Sequence, residues 1–203
     1  VCNKEKVGKQ IDVVADNLKK LDYVVEITRS MAMTPYVGNY ARYGDSVRVE
    51  GKMYRVNYKG ADEEAYKVFR PEMVEGEWLS DNKLEDGSFT CVVTRQFVDE
   101  LKWTQPLGRK LFVRGNDFTV VGVVSGIKHK VLLFAEPAVI VPCRAIKHDD
   151  TFRELCARVE LGQEKEFIMA YYKEFQRLIP NKEAQPFAIN MELAKRGTYN
   201  ITF

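Results

Sequence analysis

An α+β fold with helices packed on a mixed sheet is what this sequence of 203 residues predicts. Two stretches, 4–21 and 163–179, repeat apolar residues at helical spacing. Between them, short runs of β-branched and aromatic residues are bounded by turn formers. No internal repeat of solenoid period is present, so the elements belong to a packed domain rather than an array.

In residues 4–21, Val7, Ile11, Val14, Leu18 and Leu21 follow i, i+3, i+4 and i+7 steps, with a charged opposite face. This is an amphipathic helix made to lie on a sheet. Residues 23–27 alternate as a central strand, and Thr34-Pro35 with Gly38-Asn39 break the pattern. Residues 46–50 and 53–58 flank Gly51-Lys52 as a hairpin, with Tyr54 and Tyr58 on one face. Asp62 caps a short helix over 62–68, whose acidic start suits the positive end of a helix dipole.

The chain is organised around residues 74–124. A turn at Glu75-Gly76-Glu77-Trp78-Leu79-Ser80 leads through Asp86-Gly87-Ser88 to a strand at Phe89–Thr94. Thr94 is placed to cap a helix over 95–103, in which Phe97, Val98 and Leu101 form one apolar stripe; Pro106 ends it. Residues 110–113 and 118–124 flank Arg114-Gly115-Asn116-Asp117 and predict a second hairpin. Trp78 and Pro106-Leu107-Gly108 are expected to be structural. The indole ring covers a sheet edge while its N–H finds a loop carbonyl, and Gly108 supplies a left-handed link.

Beyond this segment, 125–130 is a polar loop and 137–141 a short strand ended by Pro142. Residues 152–161 are a half-buried strand with Arg153, Leu155, Ala157, Val159 and Leu161 on the inner face. The helix over 163–179 stops at Pro180-Asn181, and 187–193 alternate as a last strand. The helices are expected on one face of the sheet.

A hydrophobic fraction of 45% is enough for a substantial core. The net charge of +2 comes from scattered, nearly balanced charges, which argues against a nucleic-acid partner. No window reaches the roughly 20 apolar residues of a membrane-spanning helix, and the start lacks a signal-peptide core. The abrupt start at Val1-Cys2 and stop at Phe203 are expected of an ectodomain with trimmed flanks. Cys2, Cys91, Cys143 and Cys156 lack the close spacing of zinc or redox motifs and read as small buried hydrophobes, with a disulfide permitted in an oxidising compartment.

No catalytic, cofactor-binding or metal-ligating residue is assigned. His129 and His148 sit in polar loops, and neither a nucleophile elbow nor a phosphate-cradling glycine loop is present. His148-Asp149-Asp150 reads as a turn or cap rather than a metal site. Lys128-His129-Lys130 reads as a solvated loop, with contact to anionic lipid or a partner as the other possibility. Glu75 and Glu77, Asp62, Glu63 and Glu64, and Asp149 and Asp150 read as solvated faces and helix starts. Tyr36, Tyr40, Tyr43, Tyr54 and Tyr58 admit a ligand box; buried rings with wet hydroxyls are the simpler reading.

The order glycine-acidic-Trp78, strand, short helix, Pro106-Leu107-Gly108-Arg109, strand, turn, Phe118-Thr119-Val120-Val121-Gly122-Val123-Val124 resembles the periplasmic core domain of MacB-type ABC transporter permeases, of the MacB/FtsX-type family. The likeness is densest over 69–141; elsewhere the order of elements carries it. It implies a porter-like α/β subdomain in two halves, 1–71 and 125–203, around a small inserted α/β (Sabre-like) subdomain at 72–124. Read from the residues as well, secondary structure closes on itself within that insert.

The resemblance further implies a non-catalytic domain between the first and second transmembrane helices of an inner-membrane permease, facing the periplasm. Helix 4–21 then continues from the first membrane helix, and Lys195-Arg196-Gly197 begins the exit to the second. The implied partners are a cytoplasmic ABC ATPase subunit or domain, a second permease in a homo- or heterodimer, and a periplasmic adaptor. A peptide, a macrolide-like drug or a lipoprotein would each suit as substrate. A short lead-in at 87–93 and the lack of an adaptor-binding motif keep an FtsX-like signalling or cell-division relative open. A periplasmic sensor with a pocket enclosed by the tyrosine-rich first half is the rival from another class; an enzyme is third.

Overall fold

The computed structural model describes residues 4–31, 33, 44–126, 137–146 and 154–180. Cys2, Tyr36, Tyr40, Tyr43, Lys128-His129-Lys130, His148-Asp149-Asp150, the strand expected at 187–193 and Lys195-Arg196-Gly197 lie outside them.

Helix α1 (Lys4–Leu18) leads into strand β1 (Val24–Met31), and β2 (Gly44–Val49) and β3 (Lys52–Ala61) form the first hairpin. Helix α2 (Ala65–Phe69) precedes β4 (Met73–Gly76), β5 (Phe89–Thr94) and α3 (Arg95–Glu100). The second hairpin is β6 (Lys110–Val113) with β7 (Asn116–Val124), followed by β8 (Ala138–Pro142), β9 (Glu154–Val159) and α4 (Glu164–Leu178). Both hairpins turn on two residues of positive φ, Glu50-Gly51 and Arg114-Gly115, the left-handed pair that matches strand twist. The first turn is centred one residue earlier than the sequence suggests.

Six strands curl into a closed ring. β3 pairs with β2 on one side and β8 on the other; β8 pairs with β5, β5 with β7, and β7 with β6. The seam between β6 and β2 is one register pair, Arg48↔Phe112, on the outside of the ring. There the Arg48 guanidinium lies 4.2 Å from the centre of the Phe112 ring, a cation–π contact.

Alternation fills this small barrel with side chains. Val47 and Val49, Val56 and Tyr58, Cys91 and Val93, Leu111 and Val113, Phe118 and Val120, and Val139 and Val141 belong to one buried cluster, as the period of two requires. Phe97 and Val98 of α3 join it just beyond the end of β5. Ala145 and Ile146 join it from the 3-10 turn after β8, where Asn116 Nδ2 donates to Ala145 O at 3.1 Å. The barrel is therefore covered at both ends.

β1 and β9 extend from the barrel as a two-stranded wing. Ile27 packs with Val14, Ala15 and Leu18 of α1, and Leu155, Ala157, Phe167 and Tyr171 surround this second cluster. Helices α1 and α4 thus cover one face of the wing. They are also linked by polar contacts: Asn17 Nδ2 donates to Glu174 Oε1 at 2.5 Å, and Gln10 Nε2 to Leu178 O at 2.9 Å.

Several sequence expectations are corrected. Strand pairing does not close within 72–124: β5 pairs with β8 through Val92↔Ile140 and Val93↔Val139, in the same sheet as β1. The buried clusters likewise combine residues from inside and outside that segment. Helices do not share one face, because α2 packs against the wing opposite α1 and α4. Helix α3 ends at Glu100 rather than Trp103, and Lys102 takes a left-handed φ of 53°. Thr94 stands at the N-cap without a side-chain cap bond; its hydroxyl accepts from Ala138 N at 2.9 Å, tying β5 to β8. β9 ends at Val159, leaving Leu161 95% exposed where the sequence puts it on the inner face.

Candidate functional site

The distinctive chemistry gathers where wing, barrel and α2 meet. It starts with a bulge in β1: Val24 pairs with Val159 and Glu26 with Arg158, leaving Val25 extra and half exposed. An added residue resets alternation. Val24 and Ile27, three apart, can therefore both reach the α1/α4 cluster, while Glu26, Thr28 and Ser30 turn to the α2 side.

Glu26 is consequently buried, with a side chain only 5% exposed. Lys19, just past α1, places Nζ 2.5 Å from Oε1, and Lys67 of α2 places Nζ 3.1 Å from Oε2. The Ile27 amide donates to Oε1 at 3.1 Å. Burial alone pushes this carboxyl up; the bonds from Lys19, Ile27 and Lys67 outweigh it and hold Glu26 below its ordinary value.

Asp62 occupies the turn between β3 and α2. Its Oδ1 accepts from the Ala65 amide at 3.0 Å, the capping expected from sequence, although the helix starts three residues later. The carboxylate does more than cap. Thr28 Oγ1 donates to Oδ1, and the Arg29 amide donates to Oδ2 at 2.9 Å. Burial raises this carboxyl above its usual value, Glu64 adds to the rise, and the donors oppose it.

The surroundings complete the joint. Trp78 Nε1 donates to Asp62 O at 3.2 Å, and its ring packs on the cluster of Ala61, Ala65, Leu79, Val92, Val124 and Ile140. Trp78 is thus the structural residue the sequence suggests. Glu63 accepts from Ser80 Oγ at 2.6 Å and the Asp81 amide at 2.8 Å, which hold it below its usual value. Arg158 of β9 donates to Val68 O at 2.8 Å, and Arg29 Nε lies 2.8 Å from Asp12 Oδ1 of α1. Charged groups therefore connect α1, β1, β9 and α2.

The other candidate residues have structural settings. Tyr58 lies in the barrel interior with Tyr54 against the same cluster. Gly108 has φ 79° and hydrogen-bonds β7 through Val120 O at 2.8 Å. Glu75 and Glu77 are exposed at the end of β4, a strand that the sequence presents as a turn. Cys91 and Cys143 are buried, Cys156 is half-buried, and the three form no disulfide with one another; burial pushes the Cys91 thiol up. Outside the barrel, Ser88 donates to Asp86 at 2.6 Å, and Lys110 is ion-paired to that carboxylate while donating to Thr119 Oγ1 at 2.7 Å. Ser88 is buried and also bonds Thr119 Oγ1 at 2.7 Å, and Lys110 holds the Asp86 carboxylate well below its usual value, which makes it a weak base; Ser88 is thus a strut between strands. Among the described residues, no three His, Cys, Asp or Glu side chains are grouped to hold a metal.

Glu26 and its lysines are the part of this site that sequence reasoning misses. A glutamate inside Val24-Val25-Glu26-Ile27-Thr28 is the available signal, because a charged residue in a β-rich run needs a partner when buried.

Comparison with known families matches residues 7–176 to the MacB-like periplasmic core domain. The chain belongs to this family. The MacB-like domain also has solved structural neighbours. The extracellular domain of the noncanonic ABC-type transporter YknZ from Gram-positive bacteria aligns at TM-score 0.63 and 17% identity, over 85% of this chain and 86% of that one. The periplasmic region of MacB from Actinobacillus actinomycetemcomitans aligns at TM-score 0.61 and 16% identity, over 82% and 73%. At these identities the likeness concerns the fold. Comparison with curated proteins gives no match. Among the described residues of this MacB-like domain, no helix is long and apolar enough to cross a membrane.

Proposed function

We propose that this MacB-like domain is the extracytoplasmic part of an ABC transporter permease and that it transmits force without turning over a substrate. Family membership over 7–176 supports the placement. The force-transmitting role rests on one observation: α1 is bound to the wing by charge at two levels, Asp12 to Arg29 and Lys19 to Glu26, besides its apolar packing. The apolar packing seats α1 on the wing, and the ion pairs at Asp12, in the middle of the helix, and at Lys19, just past its end, fix its register there, so that helix and wing move together.

In this reading α1 continues from a membrane helix, and a cytoplasmic ABC ATPase subunit or domain supplies the driving motion. A second permease copy and a periplasmic adaptor or substrate receive it. The chain faces the periplasm of the inner membrane.

Purification of the full-length protein from membranes, together with the ATPase encoded beside it or fused to it, tests this. The expected result is a stable complex that hydrolyses ATP, with this domain accessible to an impermeant label outside the inner membrane. A full-length protein that fractionates as soluble, or a domain labelled only after cell lysis, contradicts it.

A further inference from the structure

Among the described residues, strand pairing joins the wing to the barrel at only two register pairs, Ser30↔Ala61 and Met31↔Gly60. On either side the ladders are three times as long: β1 makes six pairs with β9, and β3 makes six with β2. A sheet gives most easily where the fewest backbone bonds resist bending. Helix α2 spans this short ladder, and its two sets of contacts differ in kind.

Toward the barrel α2 is apolar. Ala65 is fully buried with Ala61, Val92, Val124 and Ile140, and Phe69 packs against them. Toward the wing, where α2 lies along β1 and β9, the turn before the helix and the helix itself add hydrogen bonds and ion pairs: Asp62 to Thr28 and Arg29, Lys67 to Glu26, and Arg158 to Val68 O. A packed apolar seat holds an element in place, while directional bonds are either made or broken. That difference gives the joint two discrete states.

We infer that α2 is a latch that stays seated on the barrel, and that the Asp62 carboxylate, bonded to Thr28 and Arg29, fixes the angle of the wing. With these bonds broken the wing turns about Ser30 and Met31 while the barrel keeps its structure. The inference rests on the proposed function only for the origin of the force, which would enter through α1.

Hydrogen exchange followed by peptide mass spectrometry on the 203-residue chain tests the latch, comparing wild type with Thr28→Val, Asp62→Asn and Lys67→Met. Each variant should raise exchange in peptides covering 26–31 and 61–69. The rise should be about tenfold for Thr28→Val and Asp62→Asn, which lose a bond to a charged group, and smaller for Lys67→Met at the more exposed contact. Peptides covering 89–94 and 118–124, inside the barrel, should stay unchanged. Exchange rising equally in wing and barrel would make Asp62 a general prop of the fold, and unchanged exchange everywhere would leave no latch. Should Asp62→Asn fail to fold, Thr28→Val gives the same comparison, because it removes one of the Asp62 bonds and leaves the carboxylate in place. Exchange is measured without membrane or ATPase, so failure here leaves the permease assignment standing, and failure of that assignment leaves the latch standing.

Discussion

Gly122 of β7 lies opposite Gly76 of β4, and a Cβ at Gly122 would stand 2.1 Å from the Glu77 carbonyl oxygen. A Cβ at Gly76 would be 2.2 Å from Val121 O. Two side-chain-free residues face each other where the β4 backbone is laid against the barrel, and backbone cannot move aside as a side-chain end can. Gly122→Ala should therefore destabilise by about 3 kcal/mol. Gly108→Ala, at φ 79° with nothing within 4 Å of its Cβ position, should cost only about 1 kcal/mol, for backbone strain. Urea unfolding of the two variants should show this order; equal midpoints would mean that β4 can lift off.

Trp78 combines packing with a directed hydrogen bond to Asp62 O. Trp78→Phe should lose about 1 kcal/mol with the bond, and Trp78→Ala about 3 kcal/mol with the ring. Differential scanning calorimetry should rank the midpoints wild type, Phe, Ala. Wild-type stability in the alanine variant, coupled with lost partner binding, would reassign Trp78 to recognition.

Glu26 gives a pH dependence of definite sign. Its folded carboxyl titrates below the ordinary value, so the folded chain binds that proton less readily than the unfolded chain. The stabilisation is present above the unfolded value of about 4.3 and is lost as pH falls through the folded one. Glu26→Gln should cost about 1–3 kcal/mol at pH 7, the worth of hydrogen bonds to a charged group. The gap from wild type should narrow in acid. A constant difference from pH 7 to the acid limit would mean that the ion pairs with Lys19 and Lys67 contribute nothing.

The sequence makes parts of this molecule legible and hides others. Phe89–Thr94 is readable because a β-rich run stands between clear turn formers, and 164–178 because Phe167, Tyr171, Phe175 and Leu178 keep helical spacing. Closure of the barrel is hidden because Arg48↔Phe112 joins distant segments by one pair without any local signal. β4 is hidden because Met73-Val74-Glu75-Gly76 is short and rich in acid and glycine, the composition of a turn or of a protected edge. Asp62 shows its capping role from its place before a helix, but its bonds to Thr28 and Arg29 depend on a strand more than 30 residues earlier.

No ATPase, peptidase or esterase turnover is expected from the chain, since no nucleophile-base pair can be assembled from its sequence motifs. Activity abolished by His129→Ala or His148→Ala would overturn the force-transmitting reading in favour of an enzyme.

The central claim is that motion entering at α1 turns the wing against the barrel at the joint that Asp62 holds. Spin labels introduced as non-natural amino acids at Met169 of α4 and Met53 of β3, 63% and 61% exposed, would report the wing-to-barrel distance by pulsed electron resonance. The sample is the full-length protein with its ATPase in lipid nanodiscs. The distance distribution should shift between the nucleotide-free and ATP-trapped states, and Asp62→Asn should broaden it in both. Identical distributions in both nucleotide states, in a sample that hydrolyses ATP, would contradict the account.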